Sequence, residues 1–119
     1  MARYMALIYG DESGLATASP EETEQMAKEY NAFTDEARSA GVFEAGEGLQ
    51  PTPSATTVRL RDGKLSTTDG PFAETKEQLG GFYVFECKDL DEAIEWASKI
   101  PGAKFGSIEV RPVMEYPEA

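Results

Sequence analysis

The 119 residues are expected to form one domain, 1–119, of ordinary globular composition, with 40% hydrophobic and 28% charged residues. Twenty-two acidic side chains against eleven basic ones give a formal net charge of −11. Such a surface repels phosphate backbones and anionic lipid, which argues against nucleic-acid and membrane partners.

Histidine is absent, and Cys87 is the one cysteine. No zinc site of usual composition and no serine–histidine–aspartate triad can then be built. A carboxylate-only Mg²⁺ or Ca²⁺ site stays open, but no EF-hand-like spacing occurs, so we expect no metal. No phosphate loop or dinucleotide motif occurs, so we expect no organic cofactor. A lone cysteine in an apolar run is typical of a buried hydrophobe in a reducing compartment, and the N-terminal apolar run is too short for a signal peptide. We therefore expect a cytoplasmic protein.

The first half of the chain predicts a strand and a long helix. Tyr4 to Tyr9 is short and apolar on both faces, as in the middle of a sheet. Residues 10–14 predict a loop. Ser19 and Glu22 enclose a proline and form a capping box, which predicts the start of a helix. The apolar stripe of this helix is Met26, Tyr30, Phe33 and Ala37, and Gly41 ends it.

The second half of the chain predicts mainly strands. Residues 42–49 predict a strand interrupted by glycine, and the alternating runs 57–61 and 64–68 flank an Asp-Gly pair, which predicts a hairpin. Residues 73–79 predict irregular structure or a short helix. The remaining elements are a strand at 82–87, a helix capped by Asp89 with Leu90, Ala93, Ile94, Ala97 and Ile100 on its apolar face, and a strand at 107–111.

This order of elements predicts an α+β fold of the ferredoxin-like kind, βαββαβ, with a β-hairpin insertion. Two right-handed crossovers place both helices on one face of the sheet. We expect the other face to carry Phe85 and either Phe82 or Tyr83. An apolar face of this size does not stay bare in water, so the pattern predicts a homodimer in which two such faces meet.

The stretch from Thr68 to Phe82, TDGPFAETKEQLGGF, closely resembles the DGPF branch of the YCII-related family. The likeness continues at 89–97 (DLDEAIEWA), at 109–112 (EVRP) and upstream at 5–10 (MALIYG). It implies a dimeric α/β-barrel in which two ferredoxin-like sheets face each other. Members of the wider group resemble small lyase-type or dehydrochlorinase enzymes with a histidine–aspartate pair. Some DGPF relatives are encoded beside, or fused to, alternative sigma factors.

The resemblance carries the aspartate of that pair onto Asp69 and the histidine position onto Tyr30. As a catalytic residue, Asp69 would be a base aimed into a pocket between the sheet and the first helix, its pKa raised by desolvation. An aspartate before Gly-Pro is also an ordinary turn former. Tyr30 is a poor base at neutral pH, and a core aromatic is its favoured interpretation. If its hydroxyl meets Asp69, the pair would orient a ligand.

Five further residues are candidate ligand contacts, each with a plain structural alternative. Phe72 belongs to the DGPF motif. Lys76 and Glu77 could line the mouth of a pocket or form a solvated surface pair. Glu47 lies between two glycines that allow close backbone approach. Arg111 could reach the same cavity or pair with a glutamate across strands.

Two functions from different classes follow. The first is an uncharacterised YCII-type protein that binds a small oxygenated molecule near the DGPF aspartate and, if catalytic, acts as a cofactor-free, lyase-like enzyme by proton transfer. The second is a non-catalytic interaction or regulatory module associated with a transcription factor, as the sigma-factor link of relatives implies.

Overall fold

The computed structural model describes residues 1–117 and contains a four-stranded sheet, a separate hairpin and three α-helices within them. The first half comprises β1 (Ala2–Gly10), α1 (Ser13–Thr17), α2 (Pro20–Ser39) and β2 (Phe43–Gly48). The second half comprises β3 (Thr56–Arg61), β4 (Lys64–Asp69), β5 (Gln78–Cys87), α3 (Leu90–Ser98) and β6 (Ser107–Pro112).

Both long helices begin where the sequence predicts. The Glu22 amide donates to Ser19 Oγ over 3.1 Å, and the Ser19 amide donates to Glu22 Oε1 over 3.0 Å. Two orphan amides of the first turn of α2 are thereby satisfied. In α3 the Glu92 amide donates to Asp89 Oδ1 over 2.9 Å. Gly41 follows α2 with a φ of 77°, a conformation that glycine adopts at little cost.

The sheet has the strand order β2–β5–β1–β6, and its paired neighbours are antiparallel. This is the order that two right-handed βαβ crossovers produce when their strands interleave. The predicted ferredoxin-like α+β fold is therefore confirmed. No helix within residues 1–117 is long and apolar enough to cross a membrane.

One face of the sheet packs against the helices through aromatic residues. Phe85 is 1% exposed, and Phe33 of α2 meets the rings of Phe85 and Tyr83 edge-on at 6.0 and 5.1 Å between centroids. The expectation that Phe85 lies on the opposite face is wrong. Alternation along β5 places it on the same side as Tyr83 and sends Phe82 the other way.

The opposite face of the sheet, here called the open face, carries a smaller apolar patch. Phe82 pairs with Leu7 and Val84 pairs with Met5 across strands β5 and β1. Met5, Leu7 and Phe82 are half-buried, and within residues 1–117 no long helix covers them, because α2 and α3 pack on the other side. The patch is flanked by charged residues, Glu47 beside Phe82 and Glu109 beside Leu7.

The inserted hairpin, here called the arm, consists of β3 and β4, which pair only with each other. Asp62 and Gly63 have φ values of 52° and 72°. Positive φ at both central positions defines the two-residue turn that matches the twist of the flanking strands. The Asp-Gly prediction is confirmed.

Three local predictions differ from the structure. The loop after β1 contains the short helix α1, which has no capping signal in the sequence. Strand β5 begins at Gln78, so the end of the segment predicted as irregular belongs to the sheet. Leu90 and Ile94 are exposed, because the buried face of α3 is centred on Ala93 and Ala97, which allow a close approach to the sheet.

Cys87 is completely buried on the helix-facing side of β5. Burial, together with the nearby Glu92 carboxylate, raises the pKa of the Cys87 thiol to about 11. The thiolate is the reactive form of cysteine, so this side chain is inert at neutral pH and acts as a small core residue.

The position of Phe85 leads to a prediction about stability. Phe85→Ala should lower the free energy of unfolding by about 3–5 kcal/mol, because it removes a fully buried ring from the aromatic core. Phe105→Ala, at a ring that is 74% exposed, is the matched control and should change it by no more than about 0.5 kcal/mol. Urea denaturation followed by circular dichroism measures both. Equal losses in the two variants would contradict this assignment of faces.

Candidate functional site

A cavity of about 790 Å³ lies between α2, which lines it from Met26 to Arg38, and the end of the sheet where β1 stops and β5 starts. The loop after β1, α1 and the loop before β6 complete its walls. Its volume is in the range of sites that hold small organic molecules. The apolar part of the lining includes Ile8, Met26, Phe43, Leu49 and Phe105.

Tyr30 projects from α2 into this cavity and is held by a backbone group. The Gly102 amide donates a hydrogen bond to the Tyr30 hydroxyl oxygen over 3.1 Å. A Cβ added at Gly102 would lie 2.7 Å from that oxygen, so the contact depends on a residue without a side chain. Because the oxygen already accepts from an amide, the hydroxyl proton remains available to another acceptor.

The environment of Tyr30 keeps its phenol neutral. Burial raises the pKa of Tyr30 above its ordinary value, and the hydrogen bond from the Gly102 amide opposes this only in part. At neutral pH the group is therefore protonated. It is suited to donate a hydrogen bond and is unsuited to take a proton, the role that a histidine at this position would have.

A pair of hydroxyl groups, one on α2 and one on β5, lies one helical turn beyond Tyr30. Thr34 Oγ1 and Tyr83 Oη are 2.8 Å apart, and either can be the donor. Whichever donates, the other hydroxyl keeps its proton for a further acceptor. Gly46 on β2 permits this arrangement, because a Cβ there would lie 2.7 Å from the Tyr83 ring. The cavity thus presents two hydroxyl positions on one helix face, at i and i+4.

Glu12 fixes the loop that closes one end of the cavity. Its carboxylate accepts from the Thr52 amide over 2.8 Å and from Thr52 Oγ1 over 2.7 Å. The Glu12 amide donates to Gln78 Oε1 over 3.0 Å. Three separate segments, after β1, before β3 and at the start of β5, are joined by these contacts. Glu12 is therefore a structural residue of the cavity wall.

Charged groups of both signs border the cavity. The Arg38 guanidinium lies 4.8 Å from the centroid of the Phe43 ring, in a cation–π arrangement. Glu47 is exposed at the mouth of the cavity, between Gly46 and Gly48. No group of three acidic or cysteine side chains within residues 1–117 could hold a metal ion.

The structure brings together only part of the predicted site. Tyr30 and Glu47 line the cavity, whereas Asp69 is exposed at the end of β4 and does not. In the single chain Asp69 therefore lies outside the pocket between the sheet and α2. The hydroxyl of Tyr30 contacts Gly102 instead of that carboxylate. The physical reason is that β4 belongs to the arm, which pairs with no strand of the main sheet.

The other candidate residues also lie outside the cavity. Phe72 and Lys76 are exposed on the segment after the arm. Glu77 is half-buried and accepts a hydrogen bond from Ser107 Oγ over 2.8 Å, which ties that segment to β6. Arg111 is exposed on the open face, opposite Met5.

Sequence reasoning missed Thr34, Gly102 and Glu12. Thr34 follows Tyr30 by four residues, so helical spacing alone could have placed it on the same face. Gly102 follows the proline that ends α3, where a glycine was easily assigned to a turn. Glu12 carries no sequence signal, because its partner Thr52 is 40 residues away.

The contact between Tyr30 and Gly102 can be tested by a double-mutant cycle. Gly102→Ala should lower the free energy of unfolding by about 1–3 kcal/mol, because its methyl group overlaps the Tyr30 oxygen. The same change in a Tyr30→Phe background should cost less, since that oxygen is gone. Gly14→Ala is the control, because a Cβ there meets nothing within 4 Å. Equal costs of Gly102→Ala in both backgrounds would contradict the contact.

Comparison with known proteins covers almost the whole chain. The family model of the YCII-related domain matches residues 2–117. The chain is also 42% identical over 115 residues to an uncharacterised protein of Rhizobium meliloti (strain 1021), an alignment that covers 95% of this chain and 93% of that relative. Both matches extend over the sheet, the helices and the arm. The chain belongs to the YCII-related family.

Proposed function

We propose that this protein binds a small apolar molecule with an oxygen acceptor, such as a carbonyl compound, in the cavity beneath α2. The observation that carries the proposal is the hydroxyl of Tyr30, whose oxygen is occupied by the Gly102 amide and whose proton is free. Aliphatic and aromatic side chains would enclose the body of the ligand. The Tyr30 hydroxyl would donate a hydrogen bond to the oxygen of the ligand.

Any catalytic form of this function would be cofactor-free and lyase-like. A neutral phenol that donates to a carbonyl oxygen stabilises the negative charge that develops there when a neighbouring C–H loses its proton. The proton would pass to water at the cavity mouth, because the side chain of Glu47, the exposed carboxylate beside it, is on the same face as Phe82 and points away from α2. In this proposal Tyr30 is the electrophilic group.

We also propose that the protein works as a homodimer in which a second copy covers the open face. The support is the apolar patch of Met5, Leu7 and Phe82, which both helices leave uncovered. Oligomers of this kind bury such patches in pairs related by a two-fold axis.

A non-catalytic interaction module associated with a transcription factor is the second candidate function. The observation that favours it is the exposure of the recognised motif, since Asp69 and Phe72 both face solvent in the single chain. Copurification with a genetically neighbouring sigma factor tests this candidate. Loss of that copurification in Phe72→Ala would support it, and no copurification would exclude it.

The binding function is tested by NMR titration with matched probes. Acetophenone and ethylbenzene have nearly the same shape, and only the first carries a carbonyl oxygen. We expect acetophenone to bind about 10-fold more tightly, the value of one hydrogen bond, with amide shifts at the cavity glycines Gly46, Gly81 and Gly102. Tyr30→Phe should abolish the difference between the probes.

Tyr116→Phe is the matched control, because it removes a hydroxyl from an exposed tyrosine and should leave both affinities unchanged. Absence of shifts with either probe, or an equal preference for acetophenone in Tyr30→Phe, would contradict the proposal. Asp69→Asn tests the sequence-based role separately: weaker binding would assign the aspartate to the site, and unchanged binding would remove it.

A further inference from the structure

The hydroxyl groups of Thr34 and Tyr83 share one hydrogen bond and leave one proton unused. Their oxygens are 2.8 Å apart, and each hydroxyl carries a single proton. Only one of the two protons can lie between the oxygens. Within residues 1–117 neither oxygen has a second hydrogen-bond partner, so the remaining proton has no acceptor there.

Thr34 makes this contact in place of the usual hydrogen bond of a helical threonine. In the middle of a helix, a threonine hydroxyl usually bonds to the carbonyl oxygen four residues earlier or turns to solvent. Thr34 is half-buried, and its hydroxyl is bonded across to β5 instead. Tyr83 is only 7% exposed. Since both residues line the cavity, the unused proton is available to a molecule bound there.

Three glycines form the floor of the cavity beside Tyr83. Gly46 pairs with Tyr83, and Gly48 pairs with Gly81, which lies two residues before Tyr83 on the same strand. All three glycines therefore share the helix-facing side of the sheet, and all three line the cavity. A glycine in the interior of a strand often marks a place where a ligand approaches the backbone closely. The floor is suited to a planar molecule.

The sheet also gives the distance between Tyr30 and this hydroxyl pair. The Tyr30 oxygen lies beside Ile8, since a Cβ added at Gly102 would approach both side chains, at 2.7 and 3.2 Å. Ile8 pairs with Gly81, so Tyr83 is its diagonal neighbour on the adjacent strand. Diagonal neighbours are about 7–8 Å apart, and one turn of α2 advances about 5.4 Å. Two hydrogen-bonding positions therefore lie about 5–8 Å apart over the glycine floor.

We propose that Thr34 and Tyr83 form a second oxygen site, and that the ligand is a planar molecule with an oxygen at each end, such as a hydroxylated aromatic ketone. This inference rests on the proposed function, in which Tyr30 holds the first oxygen. The pair can serve either kind of oxygen, because it donates its unused proton to a carbonyl and accepts from a hydroxyl. A ligand with a single oxygen would leave that proton unpaired and away from bulk water, which disfavours it.

Matched probes in an NMR titration test the second oxygen site. 4′-Hydroxyacetophenone and 4′-methylacetophenone have nearly the same shape and share the carbonyl oxygen, but only the first has an oxygen at the opposite end of its ring. At about pH 6 the phenol of the probe is protonated. The wild type should bind the hydroxylated probe about 10-fold more tightly, the value of one hydrogen bond. Amide shifts at Gly48 and Gly81 should accompany binding.

The double variant Thr34→Val/Tyr83→Phe removes both hydroxyls and keeps the shapes of both side chains. Because neither partner is left behind alone, the change is nearly neutral for folding. It should abolish the preference for the hydroxylated probe and leave the affinity for 4′-methylacetophenone unchanged. Thr23→Val/Tyr116→Phe makes the same two substitutions at exposed positions and should keep the preference. Circular dichroism establishes that both variants are folded.

The outcomes separate this inference from the proposed function. Absence of amide shifts at the cavity with either probe would overturn both. If the wild type binds the two probes equally well, or if Thr34→Val/Tyr83→Phe keeps the preference, the hydroxyl pair only ties α2 to β5. The second oxygen site is then overturned, while binding of a carbonyl compound at Tyr30 stands. Loss of the preference in Thr23→Val/Tyr116→Phe as well would also overturn the second site.

Discussion

The packing of Phe33 against the rings of Tyr83 and Phe85 positions everything else in this fold. It fixes the C-terminal half of α2 on the sheet, where Phe33 and Ala37 are the buried residues of the helix. The cavity lies along the neighbouring side of the same helix, from Met26 to Arg38, and the hydroxyl of Tyr30 meets the Gly102 amide there.

The same arrangement determines which chemistry the cavity favours. A phenol in an apolar surrounding stays protonated, and an amide that donates to its oxygen fixes its orientation. The hydroxyls of Tyr30 and Thr34 are half-buried in the cavity and the Glu12 carboxylate is occupied by Thr52, while Arg38 and Glu47 are exposed to solvent. This distribution favours recognition of neutral, oxygen-bearing compounds.

Local signals in the sequence were sufficient for the elements and insufficient for the site. The capping box at Ser19, the Asp62–Gly63 turn and the cap at Asp89 each involve neighbours in the chain, so they could be predicted. The orientation of β5 could not be predicted, because consecutive residues of this strand are apolar and either set of alternate side chains could face the helices. Tyr30 and Gly102 are 72 residues apart, and no local rule pairs them. The position of Asp69 could not be predicted for a related reason, since nothing in the hairpin sequence specifies where the hairpin points.

The buried thiol of Cys87 has a practical consequence for spectroscopy. Because it is inaccessible and protonated at neutral pH, a cysteine introduced on the surface would be the only nucleophilic sulfur that a maleimide dye meets in the folded protein. Fluorophores or spin labels can therefore be attached at single chosen positions without first removing the native residue. Distances between labels on two copies can then be measured while the core keeps its native cysteine.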